Sequence, residues 1–213
     1  MKSLPSFTRA CAVALSLLYA GTISAYAGEQ SKTYTFTEVV TYDYVGDFHE
    51  GLAKAKKGGV WLHIMRDGKA AYESRYELVG NFHEGLAWVR KDGVEFHITH
   101  DGKAAYENQY KIVGNFNDGL AWARKDGVGF HITHNGKAAY ESRYELVGNF
   151  NDGLAWARKD GVGFHITHNG KAAYEGRYDQ VGDFSNGIAW VVKDNLGFYI
   201  NHNGLQQYNG LKQ

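Results

Sequence analysis

His-Ile-Thr-His occurs three times in this chain, as His97/His100, His131/His134 and His165/His168. Two histidines three apart can share a metal ion on a helix. On a strand, positions i and i+3 face opposite sides, so one copy holds no single ion unless it is bulged. Histidines of successive copies offer another arrangement, a ladder of His63, His97, His131 and His165. Such a column could bind a metal between copies, or take up protons below about pH 6.5 and loosen the array. No cysteine and no fixed carboxylate completes a ligand set, so no metal is expected. The plainer reading is strand residues chosen for cross-strand fit.

Trp88, Trp122, Trp156 and Trp190 occupy one recurring position, and Tyr72, Tyr106, Tyr140, Tyr174 and Tyr208 another. An aromatic column could stack on sugar rings or receive cationic headgroups. Large aromatics on one strand face also build cores, each buried Trp stabilising by roughly 2–3 kcal/mol. A carboxylate precedes Gly-Leu-Ala at Glu50, Glu84, Asp118 and Asp152, and gives way to Asn186 at the end. Beside a turn glycine it reads as a turn former. The chain has no Gly-rich phosphate loop, no Gly-x-Ser-x-Gly elbow and no Cys/His pair. An active site needs different groups converging at one place, whereas repeats supply the same groups many times. No catalytic residue and no cofactor is therefore expected.

What positions these residues is a repeat. Val-Gly-x-Phe recurs at Val45–Phe48, Val79–Phe82, Val113–Phe116, Val147–Phe150 and Val181–Phe184, always 34 residues apart. The five copies run 42–75, 76–109, 110–143, 144–177 and 178–211. The third and fourth differ only at Lys111/Glu145, Ile112/Leu146 and Ser142/Gly176. The outer copies diverge, with Lys54 in place of Trp and Gln206-Gln207-Tyr208 in place of Ala-Ala-Tyr. Stacked arrays have atypical ends because those ends lack a neighbour.

Residues 1–27 read as a signal peptide: Lys2 and Arg9, an apolar run from Ala10 to Ala20, then Ala25-Tyr26-Ala27 as the cleavage site. The run is too short to span a bilayer. Cleavage near Ala27 makes the protein secreted or periplasmic, with no membrane span afterwards. Residues 28–41 read as an N-terminal capping strand. The whole chain balances 23 basic against 23 acidic residues; removing Lys2 and Arg9 leaves 21 − 23 = −2. That balance points away from nucleic acid, which asks for a basic stripe.

Each unit reads as strands. Lys91-Asp92-Gly93 and His100-Asp101-Gly102-Lys103 separate short runs rich in Val, Ile, Phe and Trp. Asp-Gly and Asn-Gly favour type I′ hairpin turns, whose central residues need positive φ. A further strand covers Tyr76–Phe82, where Gly80 marks a bulge or a close approach. The fold class is all-β: five 34-residue antiparallel β-meanders, an open elongated stack being favoured over a five-bladed propeller.

Tyr42-Asp-Tyr-Val-Gly-Asp-Phe-His-Glu-Gly-Leu-Ala53 resembles the bacterial WG-repeat (KWG) family, whose units run Y-D-x-V-x-x-F-x-x-G-L-A and then W-G-F-I-D-x-x-G-K. The resemblance covers all five copies. It departs in the second half, where this chain has Val60-Trp61, Val94-Glu95, Val128-Gly129, Val162-Gly163 and Leu196-Gly197. It implies a β-rich, often exported repeat protein with no activity common to the family. Trp122 to Phe130 through Asn135-Gly136-Lys137 is also similar in rhythm to cell-wall (choline-type) binding repeats.

These features lead to the expectation of an exported, non-enzymatic protein that binds through several equivalent weak sites, since repetition offers avidity. The expected target is cell-wall or other glycan. The alternative is a structural or protein-interaction array working on another envelope protein.

Overall fold

A computed structural model describes residues 17–27 and 30–207, with side-chain surroundings from residue 40 onward. Residues 1–16 of the expected signal peptide, Gly28 just after its cleavage site, and Tyr208 at the end of the tyrosine column lie outside the described residues. The chain divides into two compact units, Met1–Tyr76 and Glu77–Gln213. Every element among the described residues is a strand or a turn.

In the first unit, Leu17–Ala27 pairs antiparallel with Gln30–Val40 as a separate two-stranded sheet. The expected capping strand is thus part of Gln30–Val40, and its ladder partner is the preceding segment instead of a repeat. The first repeat forms a three-stranded sheet of Tyr44–His49, Leu52–Lys57 and Val60–Ile64. Ala53, Ala55, Leu62 and Ile64 make its core together with Tyr42.

The second unit carries four more sheets of the same plan. The most regular is Leu146–Asn151, Leu154–Lys159 and Val162–Ile166. Its register breaks between Val147 and Phe150, at Gly148, which is the bulge expected of a mid-strand glycine. The last sheet gains a fourth strand, Gln206–Gln207, paired with Tyr199 and Ile200. Elsewhere that position makes only a single bridge, such as Ile166 to Ala172. The fold is therefore all-β, one antiparallel meander per repeat, and no pairing among the described residues closes the sheets into a barrel.

The turns follow from backbone chemistry. Asp92 and Gly93 both have positive φ (53° and 75°), as a type I′ turn requires. A further turn of this kind joins the first two strands at Glu84-Gly85, φ 51° and 82°, confirming the carboxylate position as a turn former. The His-Asp/Asn-Gly-Lys turn differs from expectation. Asn135 is not left-handed; only Gly136 is, at φ 72°. Gly136 N–H donates to Thr133 O (2.8 Å) and Thr133 N–H to Lys137 O (2.9 Å). That is a type I turn closed by a left-handed glycine bulge. The Asn135 side chain completes it by accepting from the Thr133 hydroxyl (2.6 Å) and Lys137 N–H (3.1 Å).

Candidate functional site

The histidine ladder lies inside the repeats. His63, His97, His131 and His165 are fully buried. In the second unit each ring joins its own repeat to the next. His131 Nε2 lies 2.8 Å from Gly148 O, and a carbonyl only accepts, so Nε2 carries the hydrogen. Nδ1 of the neutral ring then accepts from the Tyr140 hydroxyl at 2.5 Å. His97 repeats the arrangement with Gly114 O (2.9 Å) and Tyr106 (2.5 Å), and His165 with Gly182 O (2.8 Å) and the Tyr174 hydroxyl. Inside the first unit His63 Nδ1 meets the Tyr72 hydroxyl at 2.5 Å. The second unit thus spends both ring nitrogens of each histidine on protein partners.

Burial depresses the basicity of these rings. His97, His131 and His165 are each lowered from 6.5 to about 4, chiefly by desolvation. The carbonyl bond opposes this, and a second histidine nearby (His134 beside His97, for example) adds to it. Burial in turn raises the partner tyrosines well above their ordinary range. These three rings stay neutral well below the pH at which a free imidazole charges.

The second histidine of each motif builds the repeat tip. His134 stacks on Phe116 (4.1 Å) and His168 on Phe150 (4.1 Å). His168 Nε2–H donates to Asp118 O of the preceding repeat at 3.1 Å. The Asp118 carboxylate accepts from Gly153 N–H (3.2 Å), and Asp152 likewise from Gly187 N–H (3.0 Å). The turn-forming acid is therefore also a clasp between repeats. Asp152→Ala is expected to lower the urea midpoint by an amount equivalent to about 1–2 kcal/mol, through the lost acceptor and the strained φ. Asp152→Asn, which tolerates that φ, should cost less than about 1 kcal/mol.

The tryptophan column is only half in the core. Trp88, Trp122 and Trp156 are half-buried, and Trp190 is 45% exposed. Trp88 and Trp122 pack against the core cluster of the following repeat. Trp88, Trp122 and Trp156 lie flat on the tetrad glycine of their own repeat, so a Cβ at Gly80, Gly114 or Gly148 would fall inside the indole. This close approach explains the glycine in Val-Gly-x-Phe. In the first unit Lys54 covers Gly46 in the same way, its Cγ 3.1 Å from where a Cβ would stand. In the last repeat Trp190 lies on Gly197 instead.

Beside Trp122 and Trp156 the outer surface opens into matching grooves. One, of 170 Å3, is lined by Ile112, Trp122, Arg124 and Gly129 with Glu145 and Val147 of the next repeat. The other, of 300 Å3, is lined by the equivalents Leu146, Trp156, Arg158, Gly163, Asp179 and Val181. At the junction before them the Gly129 position is Glu95, 2% exposed and ion-paired to Arg90 at 2.5 Å. Sequence reasoning passed over this arginine-to-glycine register. The signal was present, since a two-residue turn at Asp92-Gly93 pairs Arg90 directly with Glu95.

Among the described residues no group of three or more His, Cys, Asp or Glu side chains could hold a metal ion. Among the described residues no helix is long and apolar enough to cross a membrane.

A family model described as "WG containing repeat" matches residues 40–61, 66–94, 98–128, 132–162 and 166–196. No curated protein matches the chain. Among solved structures, Kluyveromyces lactis Hsv2 with loop 6CD replaced by a Gly-Ser linker is similar at 10% identity and TM-score 0.50, over 89% of this chain and 76% of that one. A protein of unknown function from Bacteroides caccae is similar at 13% identity and TM-score 0.38, over 90% and 94%. At such identities the likeness concerns the fold alone.

Proposed function

We infer that this chain, which belongs to the WG-repeat family, is an exported, non-enzymatic protein that binds a saccharide-containing surface of the cell envelope at several equivalent weak sites. The observation that carries this reading is the groove built twice from the same residue types, with a half-buried tryptophan and an arginine in each. An indole edge beside a charged, fork-shaped donor suits a sugar ring with its polar substituents. Two such grooves on one chain supply avidity from weak contacts. The leader-like residues 1–27 support export, and with it a target outside the cytoplasm.

The test is depletion of the chain lacking residues 1–27 from solution by insoluble cell-wall glycan fractions at low and high salt. Retention by at least one fraction at both salts is expected; failure to bind any fraction overturns the reading. A second reading, a protein-interaction array, draws on the last repeat. There Leu196 (70% exposed), Leu205 (62%) and Trp190 (45%) are left on the surface. Loss of binding on Leu196→Ser with both grooves intact would favour it.

A further inference from the structure

One position changes across the repeats more than its surroundings do: Trp61, Glu95, Gly129, Gly163, Gly197. Glu95 shows what the groove at that position accepts. Arg90 donates to its Oε1 from Nε (3.0 Å) and Nη2 (2.5 Å). Val113 N–H, at the start of the next repeat, donates to Oε2 at 2.9 Å. A buried carboxylate is costly unless its oxygens are hydrogen-bonded. Here a guanidinium fork and a backbone donor engage both oxygens. The junction of the second and third repeats is thus a complete carboxylate receptor, occupied by the chain's own side chain.

The next two junctions keep the donors and drop the acid. Arg124 and Arg158 stand where Arg90 stands, Val147 and Val181 where Val113 stands, and glycine replaces Glu95. Arg124 donates a long bond to Gly127 O (3.4 Å), and Arg158 an ordinary one to Gly161 O (2.9 Å). Arg158 comes no nearer to Glu145 than 4.0 Å. A Cβ on Gly129 would stand 3.3 Å from Val147 N, so the absent side chain opens onto the same N–H that Glu95 reaches one repeat earlier. The acids that line the grooves are also bonded to their own hairpins. Glu145 accepts from Gly161 N–H (3.3 Å) and Asp179 from Asp194 N–H (2.8 Å).

We propose that the grooves at Gly129 and Gly163 bind the carboxylates of an acidic, uronate-type saccharide. Arg124 and Val147 N–H do for the ligand what Arg90 and Val113 N–H do for Glu95; at Gly163 Arg158 offers the same fork, and the Val181 side chain stands 2.8 Å from where a Cβ would be. Trp122 and Trp156, lining the same grooves, face the sugar ring. This deepens the saccharide reading and rests on it. Glu95 closes the second junction to the ligand, which leaves the Gly129 and Gly163 junctions as the two sites of the second unit.

Calorimetric titration of the intact chain with oligogalacturonate tests it, with the fully methyl-esterified oligomer and poly-L-glutamate as comparisons. Oligogalacturonate is expected to bind at two sites per chain, about tenfold or more tighter than its ester, as loss of a charge-assisted bond implies. Gly129→Glu installs the chain's own carboxylate and should leave one site without lowering the melting temperature. Adding Arg158→Gln should remove the second. Equal binding of the ester overturns the carboxylate receptor and leaves the saccharide reading standing. Binding of polyglutamate without oligogalacturonate overturns the sugar assignment, and binding of neither acid overturns the receptor. An independent readout is Glu95→Gly, whose melting temperature should fall and be restored by propionate, the excised fragment, better than by propionamide. Equal effects of the two additives contradict the receptor geometry.

Discussion

Acidification from pH 6.5 to pH 4 is expected to remove about 3 kcal/mol of stability for each of His97, His131 and His165. All three have folded-state values lowered from 6.5 to about 4. A base whose folded pKa is depressed binds fewer protons folded than unfolded. Its contribution is therefore complete above pH 6.5, falls as the unfolded chain charges, and levels off below about pH 4. Three such losses approach the whole stability of an ordinary domain, about 5–15 kcal/mol. Urea unfolding followed by circular dichroism at pH 7, 5.5 and 4.5 should show a steep decline over that window. His131→Gln keeps a donor and an acceptor but does not titrate, and should flatten roughly a third of the slope. A stability curve level from pH 6.5 to 4.5 would contradict the burial of these rings.

Gly136→Ala should cost about 3 kcal/mol or more, against about 1 kcal/mol for Gly127→Ala. Both glycines are left-handed, at φ 72° and 82°, so both variants carry the strain of an L-residue there. They differ in space. A Cβ at Gly127 meets nothing within 4 Å, whereas one at Gly136 would fall in the ring of Tyr106 from the preceding repeat. Gly136 O also accepts from Asn108 Nδ2 (2.8 Å) and from the Tyr110 hydroxyl. Displacing that turn therefore disturbs a junction as well as a hairpin. Thermal melting should place the first variant roughly 6–12 °C below wild type and the second within about 4 °C. Equal shifts would mean the turn does not pack on Tyr106.

Much of the architecture was legible because it is local. Left-handed turns demand Gly, Asp or Asn, so Asp92-Gly93 and its equivalents marked the hairpins, and the recurrence of Val-Gly-x-Phe gave the period. The type of the second turn was not legible, since Asn135-Gly136 suits either geometry. The bond from Thr133 N–H to Lys137 O, spanning three residues instead of two, decides it. The histidines were identified as a column but not as clasps, because their partners are non-local. Tyr140 lies nine residues beyond His131 and Gly148 seventeen beyond it, in the next repeat. The tryptophans, weighed as core or surface, are both, since each indole covers a glycine and those of Trp122 and Trp156 also border a groove. The groove residues were missed because glycine replacing glutamate reads as an absence until Arg90 is seen across the hairpin.

Neutral, buried histidines join successive repeats of the second unit. Nitrogen-15 NMR of the imidazole rings at pH 5.5 tests this most directly. His97, His131 and His165 should each show a protonated Nε2 and an accepting Nδ1, unchanged between pH 7 and pH 5.5. Rings that titrate near pH 6.5, or that carry their proton on Nδ1, would contradict the bonds to Gly114, Gly148 and Gly182 and with them the way the repeats are joined.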